Sequence, residues 1–198
     1  MAVLVLDCDG VVVMGHAAGG RWDKDLARDL GLDPARLQEK FFKPHWRAIM
    51  LGEADMRTVL DEVWPSLDCA RSPRDFVDYW FANDAMLDAG VLAEVASWRA
   101  AGNHAALATV QEHHRARHLW NGLALSKHFD ALHYSAALGA AKPDAAFYER
   151  VQAKLPASRP DDVIFLDDQP RNVEAAAAFG WRASLFTGAE DLRAALRS

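Results

Sequence analysis

The chain has little cysteine, no excess of positive charge and no long apolar runs. Its two cysteines, Cys8 and Cys69, do not suggest a disulfide framework and favour a reducing compartment, so we expect a cytoplasmic protein. Lysine and arginine total 22 against 28 acidic residues, and the resulting net charge of −6 argues against a broad basic face for nucleic acid. No apolar run approaches the length of a membrane span, and Asp7 interrupts the first run before a secretory signal could form. We therefore expect neither nucleic acid nor a membrane as a partner.

The apolar residues alternate between strand and helix patterns along most of the chain. Strand patterns occur at 3–7, 104–109, 131–135, 163–168 and 183–187. Helical spacing separates them, and the first strand pattern is continuous rather than alternating, which is typical of a strand covered on both faces. The chain is therefore predicted to have an α/β fold, with a Rossmann-like parallel sheet and helices on both faces.

One segment departs from this alternation. Between residues 22 and 86 the apolar spacing is helical throughout, and no strand pattern interrupts it. We predict a small all-helical cap at 16–86, inserted into a catalytic core made of residues 1–15 and 87–198. The glycine-rich stretch 14–20 is predicted to act as a hinge for this cap.

Charged residues stand where two of the predicted strands end. Asp7 and Asp9 follow the first strand, and Asp167 and Asp168 end the fourth. Because parallel strands end at one edge of a sheet, these carboxylates meet if the two strands are neighbours. Two unit charges about 4 Å apart repel by roughly 4 kcal/mol at an effective dielectric near 20, so the cluster requires a cation or protonation. Oxygen ligands and phosphate contact favour Mg²⁺ over zinc or copper.

The other polar residues at this edge suit a phosphate group. Lys142 offers a compact positive charge, Thr109 offers a hydroxyl donor, and Gly10 lets the backbone approach closely. An aspartate can attack phosphorus and form an aspartyl-phosphate. A second acid two residues later can protonate the leaving oxygen and then activate water.

Four short segments together resemble the four motifs of the haloacid dehalogenase-like (HAD) hydrolases. They are DCDGVV, LAT, AAKPD and FLDDQPRN, in the family's order and spacing and over nearly the whole chain. The resemblance implies that Asp7 is the nucleophile and Asp9 the general acid and base. It also implies that Thr109 and Lys142 hold the phosphoryl group.

The same resemblance implies a metal site and its supports. Mg²⁺ would be bound by Asp7, the backbone carbonyl of Asp9 and Asp168. Asp167 is a further motif acid, which either binds the ion directly or supports its ligands. Asn172 would hydrogen-bond within the site rather than bind metal.

Two positions refine the resemblance. Asp9 favours the phosphatase branch, because the haloalkanoic dehalogenases of this superfamily lack an acid there. Val110 departs from close relatives, in which asparagine commonly follows the threonine. Its backbone N–H remains available, so the departure bears on substrate preference more than on the reaction.

These features predict a Mg²⁺-dependent phosphatase of small phosphorylated metabolites, sugar phosphates above all, acting through an aspartyl-phosphate. A sugar-phosphate phosphotransferase or mutase, and a non-catalytic phospholigand-binding protein, are the alternatives. The chain is expected to be a monomer or homodimer. Candidate cap contacts to substrate are His16, His45 and Arg47. His114 and His118, four residues apart, are interpreted as an exposed helix face rather than a metal pair.

Overall fold

The computed structural model describes residues 2–16, 19–157 and 159–197. Its centre is a parallel five-stranded sheet with the strand order β3-β2-β1-β4-β5. The strands are β1 (Val3–Leu6), β2 (His104–Thr109), β3 (Ala131–Tyr134), β4 (Val163–Asp167) and β5 (Arg182–Leu185). The predicted parallel α/β sheet is confirmed, and each strand lies within about a residue or two of its predicted position at either end.

Helices occupy the connections between the strands. In chain order they are α1 (Leu26–Leu30), α2 (Pro34–Leu37), α3 (Lys43–Met50), α4 (Met56–Val63), α5 (Pro73–Asn83), α6 (Ala89–Ala100), α7 (His113–Arg117), α8 (Ser135–Leu138), α9 (Ala145–Gln152), α10 (Pro170–Phe179) and α11 (Ala189–Arg197). Within the described ranges, none of these helices has the length and apolar character needed to cross a membrane.

The central strand β1 explains the continuous apolar pattern at the start of the chain. All four of its side chains are fully buried. Leu4 and Leu6 pack in the core on one side of the sheet, and Val3 and Val5 pack in the core on the other side. A parallel strand with both faces covered needs apolar residues at every position. Because β1 and β4 are hydrogen-bonded neighbours, the polar residues that follow them lie at one edge of the sheet.

The segment between β1 and α6 is helical, as predicted for the cap. Helices α1 to α5 share a separate apolar cluster that includes Phe41, Leu60 and Trp80. The two segments that connect the cap to the core lie side by side. The N–H of Met14 in the first donates to the carbonyl of Met86 in the second at 2.8 Å. The boundaries at residues 15/16 and 86/87 stay a prediction.

Two helix starts near the sheet edge are set by local sequence. Helix α9 begins at Ala145, with Asp144 as its N-cap, and Pro143 before it follows a cis peptide bond. Helix α10 begins at Pro170, in a first turn where a missing N–H costs nothing. The predicted hinge over 14–20 includes residues 17 and 18, which lie outside the described residues.

Candidate active site

A buried lysine organises the residues at the carboxyl edge of β1 and β4. The Lys142 side chain is 2% exposed, and its Nζ donates to three oxygens. These are Asp7 Oδ1 at 2.8 Å, Asp167 Oδ2 at 2.6 Å and the carbonyl of Ala108 at 2.9 Å. Burial opposes the charge on the lysine, but the two carboxylates outweigh it and raise the pKa of Lys142. The site therefore holds a fixed positive charge between two strands.

Asp7 continues β1 into the site. Its N–H donates to the carbonyl of Leu166 on β4 at 2.9 Å, which extends the sheet pairing by one residue. Its Oδ1 also accepts from the N–H of Cys8 at 2.7 Å. Burial raises the pKa of Asp7, Lys142 acts to lower it, and the nearby charge of Asp167 raises it further. Cys8 is fully buried, as expected for a packed thiol, and burial raises its pKa.

Asp167 supports the lysine and is itself held by α10. Its Oδ1 accepts from the N–H of Gln169 and from Asn172 Nδ2, each at 2.9 Å, in addition to the Lys142 bond to Oδ2. The Asn172 side chain is thereby fixed, and its buried Oδ1 has no hydrogen-bond partner among the described residues. This arrangement gives Asp167 a supporting role and leaves an unsatisfied acceptor at the edge of the site.

The carboxylates fit a divalent cation. One oxygen from each of Asp7, Asp167 and Asp168 lies within 4.8 Å of the others. Among the described residues, Lys142 alone forms ion pairs with these carboxylates, and oxygen-only donor sets suit hard cations such as Mg²⁺. The residues present therefore fit a metal site. Asp168, the least buried of the three, would be one of its ligands.

Position 10 must be a glycine because its backbone passes close to the Asp168 carboxylate. Its φ is +81°, in the left-handed region, and a Cβ there would lie 2.5 Å from Asp168 Oδ2. Any side chain would therefore displace the Asp168 carboxylate. The glycine of the DCDG motif allows the loop after β1 to pass over the end of β4.

Asp9 lines the same cleft as Asp7. Its Oδ2 accepts from Gln111 Nε2 at 2.5 Å, and its side chain keeps contact with solvent in the open cleft. The protein packed around it nevertheless raises the pKa of Asp9 to about 7, against the lowering effect of Arg115. An acid of this strength can donate and accept a proton near neutral pH. Gln111, which sequence reasoning missed, is 4% exposed, and its backbone N–H donates to the Ser135 hydroxyl oxygen at 3.0 Å.

A cleft of about 600 Å³ opens over these groups, a volume typical of small-molecule sites. Its lining residues are Asp7, Asp9, Gly10, Arg21, Thr109, Val110, Lys142, Asp168, Gln169, Arg171 and Asn172. Thr109 ends β2 and lies almost fully buried at the cleft wall, with 1% of its surface exposed. Every core residue predicted for the site except the buried Asp167 lines this space.

The cap side of the cleft differs from the prediction. Among the described residues, the lining includes Arg21 but not His16, His45 or Arg47. His45 and Arg47 lie on α3, whose buried face packs into the cap core through Ile49. Their contact with substrate therefore stays a prediction, and Arg21, Gln169 and Arg171 are additional lining residues. Arg171 lies within the FLDDQPRN motif, so its position could have been inferred.

The interpretation of His114 and His118 as an exposed face is wrong. His114 Nε2 lies 2.7 Å from Asp55 Oδ2 of the cap, and the His118 ring lies 5.0 Å from that of Phe81. This helix face is covered by the cap. Between the two histidines, Arg115 is 1% exposed and pairs with Asp84 Oδ2 at 3.1 Å, where the cap rejoins the core.

Solved structures share this architecture at low sequence identity. A predicted HAD-like family hydrolase from Porphyromonas gingivalis has a TM-score of 0.80 and 16% identity, covering 100% of this chain and 98% of that one. A HAD family enzyme from Bacteroides thetaiotaomicron, solved with magnesium and inorganic phosphate, has a TM-score of 0.76 and 16% identity, covering 94% and 93%. The L-2-haloacid dehalogenase from Xanthobacter autotrophicus, with chloropropionic acid covalently bound, has a TM-score of 0.64 and 19% identity, covering 93% and 76%.

At these identities the similarity shows the fold alone. No curated protein matches the sequence. A sequence model described as haloacid dehalogenase-like hydrolase matches residues 1–180, which is most of the chain and includes all four motifs. The chain belongs to the haloacid dehalogenase-like hydrolase family.

Proposed function

We propose that this hydrolase is a Mg²⁺-dependent phosphatase of small phosphorylated metabolites, sugar phosphates among them, and that it acts in the cytoplasm. The observation that carries the proposal is Asp9, an acid that lines the same cleft as Asp7 and Lys142 and is held there by Gln111. The Bacteroides thetaiotaomicron relative solved with magnesium and inorganic phosphate supports it.

The residues divide the reaction between them. Asp7 attacks phosphorus in line and forms an aspartyl-phosphate, while Lys142 and Thr109 hold the phosphoryl oxygens. Asp9 gives its proton to the leaving oxygen, and then takes one from the water that cleaves the aspartyl-phosphate. Asp7, the backbone carbonyl of Asp9 and Asp168 would hold Mg²⁺, which would supply positive charge to offset the phosphoryl oxygens.

Asp9 also favours phosphoryl transfer over dehalogenation. A sugar alkoxide is a poor leaving group until it is protonated, whereas a halide leaves as a stable anion and needs no proton. An acid held in the cleft by Gln111 therefore has a role in the first reaction and none in the second.

The direct test is hydrolysis of p-nitrophenyl phosphate and of a panel of sugar phosphates, with inorganic phosphate as the readout. We expect activity with Mg²⁺ and a fall of at least about a hundredfold with EDTA, restored by excess Mg²⁺. Metal-independent release would contradict the proposal. Isomerised sugar phosphate without free phosphate would identify a mutase, and binding without turnover would identify a phospholigand-binding protein.

The variant Asp9→Asn should separate two substrates by their leaving groups. Nitrophenolate leaves without a proton, so we expect a rapid burst of nitrophenolate equal to the enzyme, followed by slow turnover. An alkyl phosphate should show no burst and a loss of about a hundredfold to ten-thousandfold. Stopped-flow absorbance measures the burst. Equal losses on both substrates, without a burst, would contradict the role of Asp9.

A further inference from the structure

Three basic side chains line the cleft, and two of them, Arg21 and Arg171, have no part in the phosphoryl chemistry. Lys142, with a 2% exposed side chain, lies at the floor beside Asp7. Arg21 and Arg171 also line the cleft, but both are exposed. A single phosphoryl group bound at the floor occupies a small part of 600 Å³. Because Lys142 is buried at the floor and the two arginines are exposed, they contact different parts of a bound ligand.

Arg21 approaches the cleft from the cap side of the chain. Its Nε and Nη2 donate to the two carboxylate oxygens of Asp23 at 2.9 and 2.8 Å. A guanidinium has five N–H groups, so this pair fixes the plane of Arg21 and leaves three donors for a ligand. The side chain is 80% exposed and therefore open to solutes.

Arg171 lines the same cleft from the start of α10. It lies in the first turn of α10, where the helix dipole disfavours positive charge, and no acidic residue shares that turn. Among the described residues, no carboxylate lies within ion-pair distance of it. An unpaired cation at a helix N-terminus that faces a substrate cleft gains a partner when an anionic ligand binds.

We propose that the cleft selects phosphate monoesters that carry a second anionic group, and that Arg21 and Arg171 bind that group. The inference rests on the proposed phosphatase function and narrows its substrate class. The second group can be a carboxylate or another phosphate, since a guanidinium recognises the two oxygens of either one. The phosphate that is cleaved binds at Lys142, and the second anion stays near the mouth of the cleft.

Matched substrate pairs test this with the full-length enzyme and Mg²⁺. Glycerol 3-phosphate and 3-phosphoglycerate differ in a hydroxymethyl group against a carboxylate. Glucose 6-phosphate and glucose 1,6-bisphosphate differ in a second phosphate. We expect kcat/KM for the anionic member of at least one pair to exceed that of its neutral partner at least tenfold. The pair that shows the preference identifies the second group.

The variants Arg21→Gln and Arg171→Gln should each lower that ratio about tenfold. The matched control is Arg159→Gln. Arg159 is 71% exposed and pairs with Asp161 two residues on in the same two-pronged way, but it does not line the cleft. This control should keep the wild-type ratio.

The outcomes separate the two proposals. Absence of phosphate release from all four compounds and from p-nitrophenyl phosphate overturns the phosphatase function and this inference together. Hydrolysis without preference for either anionic member overturns the inference alone. A preference that survives in both arginine variants does the same.

Discussion

Replacing Asp7 by asparagine, Asp7→Asn, is expected to lower kcat for p-nitrophenyl phosphate by at least about a thousandfold. The amide cannot form the aspartyl-phosphate, so the loss should affect every substrate alike. Acid-quenched wild-type enzyme should carry labelled phosphate from a labelled substrate, and the variant should carry none. This differs from Asp9→Asn, which should accumulate label from labelled p-nitrophenyl phosphate, because nitrophenolate leaves without a proton and only the second step is then blocked.

The chain should stay folded in this variant. Lys142 keeps Asp167 at 2.6 Å and the Ala108 carbonyl at 2.9 Å as acceptors, so its charge is not left alone. Circular dichroism and the melting temperature check this. Asp61→Asn, at an exposed position on the cap, is the matched control and should keep full activity. Activity of Asp7→Asn above a tenth of wild type would refute Asp7 as the nucleophile.

The second large effect concerns stability rather than chemistry. Arg115→Met is expected to lower the free energy of unfolding by about 3 kcal/mol, because it leaves Asp84 without its buried partner. The estimate is at the lower end of the usual range because the Asp84 side chain is 17% exposed and can partly hydrate. For a chain of this length, the melting temperature should fall by about 6–12 °C. Loss of the Phe81 contact, 5.4 Å from the guanidinium to the ring centroid, adds to the effect.

Two comparisons isolate the cause. Arg99→Met breaks a more exposed pair with Asp130, whose side chains are 32% and 28% exposed, and should cost no more than about 1 kcal/mol. Adding Asp84→Asn to Arg115→Met should recover part of the loss, since the unpaired carboxylate is then gone. Equal melting temperatures for Arg115→Met and Arg99→Met would show that burial of the pair has no consequence.

The sequence was sufficient for the parts of the site that are local in the chain. Asp7 and Asp9 are two residues apart, and Asp167 and Asp168 are adjacent. Each pair stands at the end of a strand that the apolar pattern of the sequence predicts. Their convergence depended on β1 and β4 being neighbours, and the observed register confirms it. The helical cap was equally predictable, because its amphipathic spacing is a local property.

Contacts between cap and core were not predictable in this way. His114 and Asp55 are distant in sequence, and nothing in HHRARH indicates that a carboxylate from the cap covers that helix face. Arg21 follows a glycine-rich stretch without periodicity, so no pattern favoured it over His45 or Arg47. Those choices depend on how the cap docks, and docking is decided by pairs of side chains from different parts of the chain.

The position of β1 has a consequence for how the protein is made. Val3 pairs with His104 and Val163, so β1 leaves the ribosome before both of its neighbours and forms the middle of the sheet only when β2 and then β4 have followed. At usual rates of synthesis this leaves the VLVL segment without its second neighbour for roughly ten to thirty seconds. An unpaired apolar strand is prone to aggregate during that interval. Of the five strands of this sheet, the segment that leads into Asp7 therefore waits through the longest stretch of synthesis, from β1 to β4, for its second neighbour.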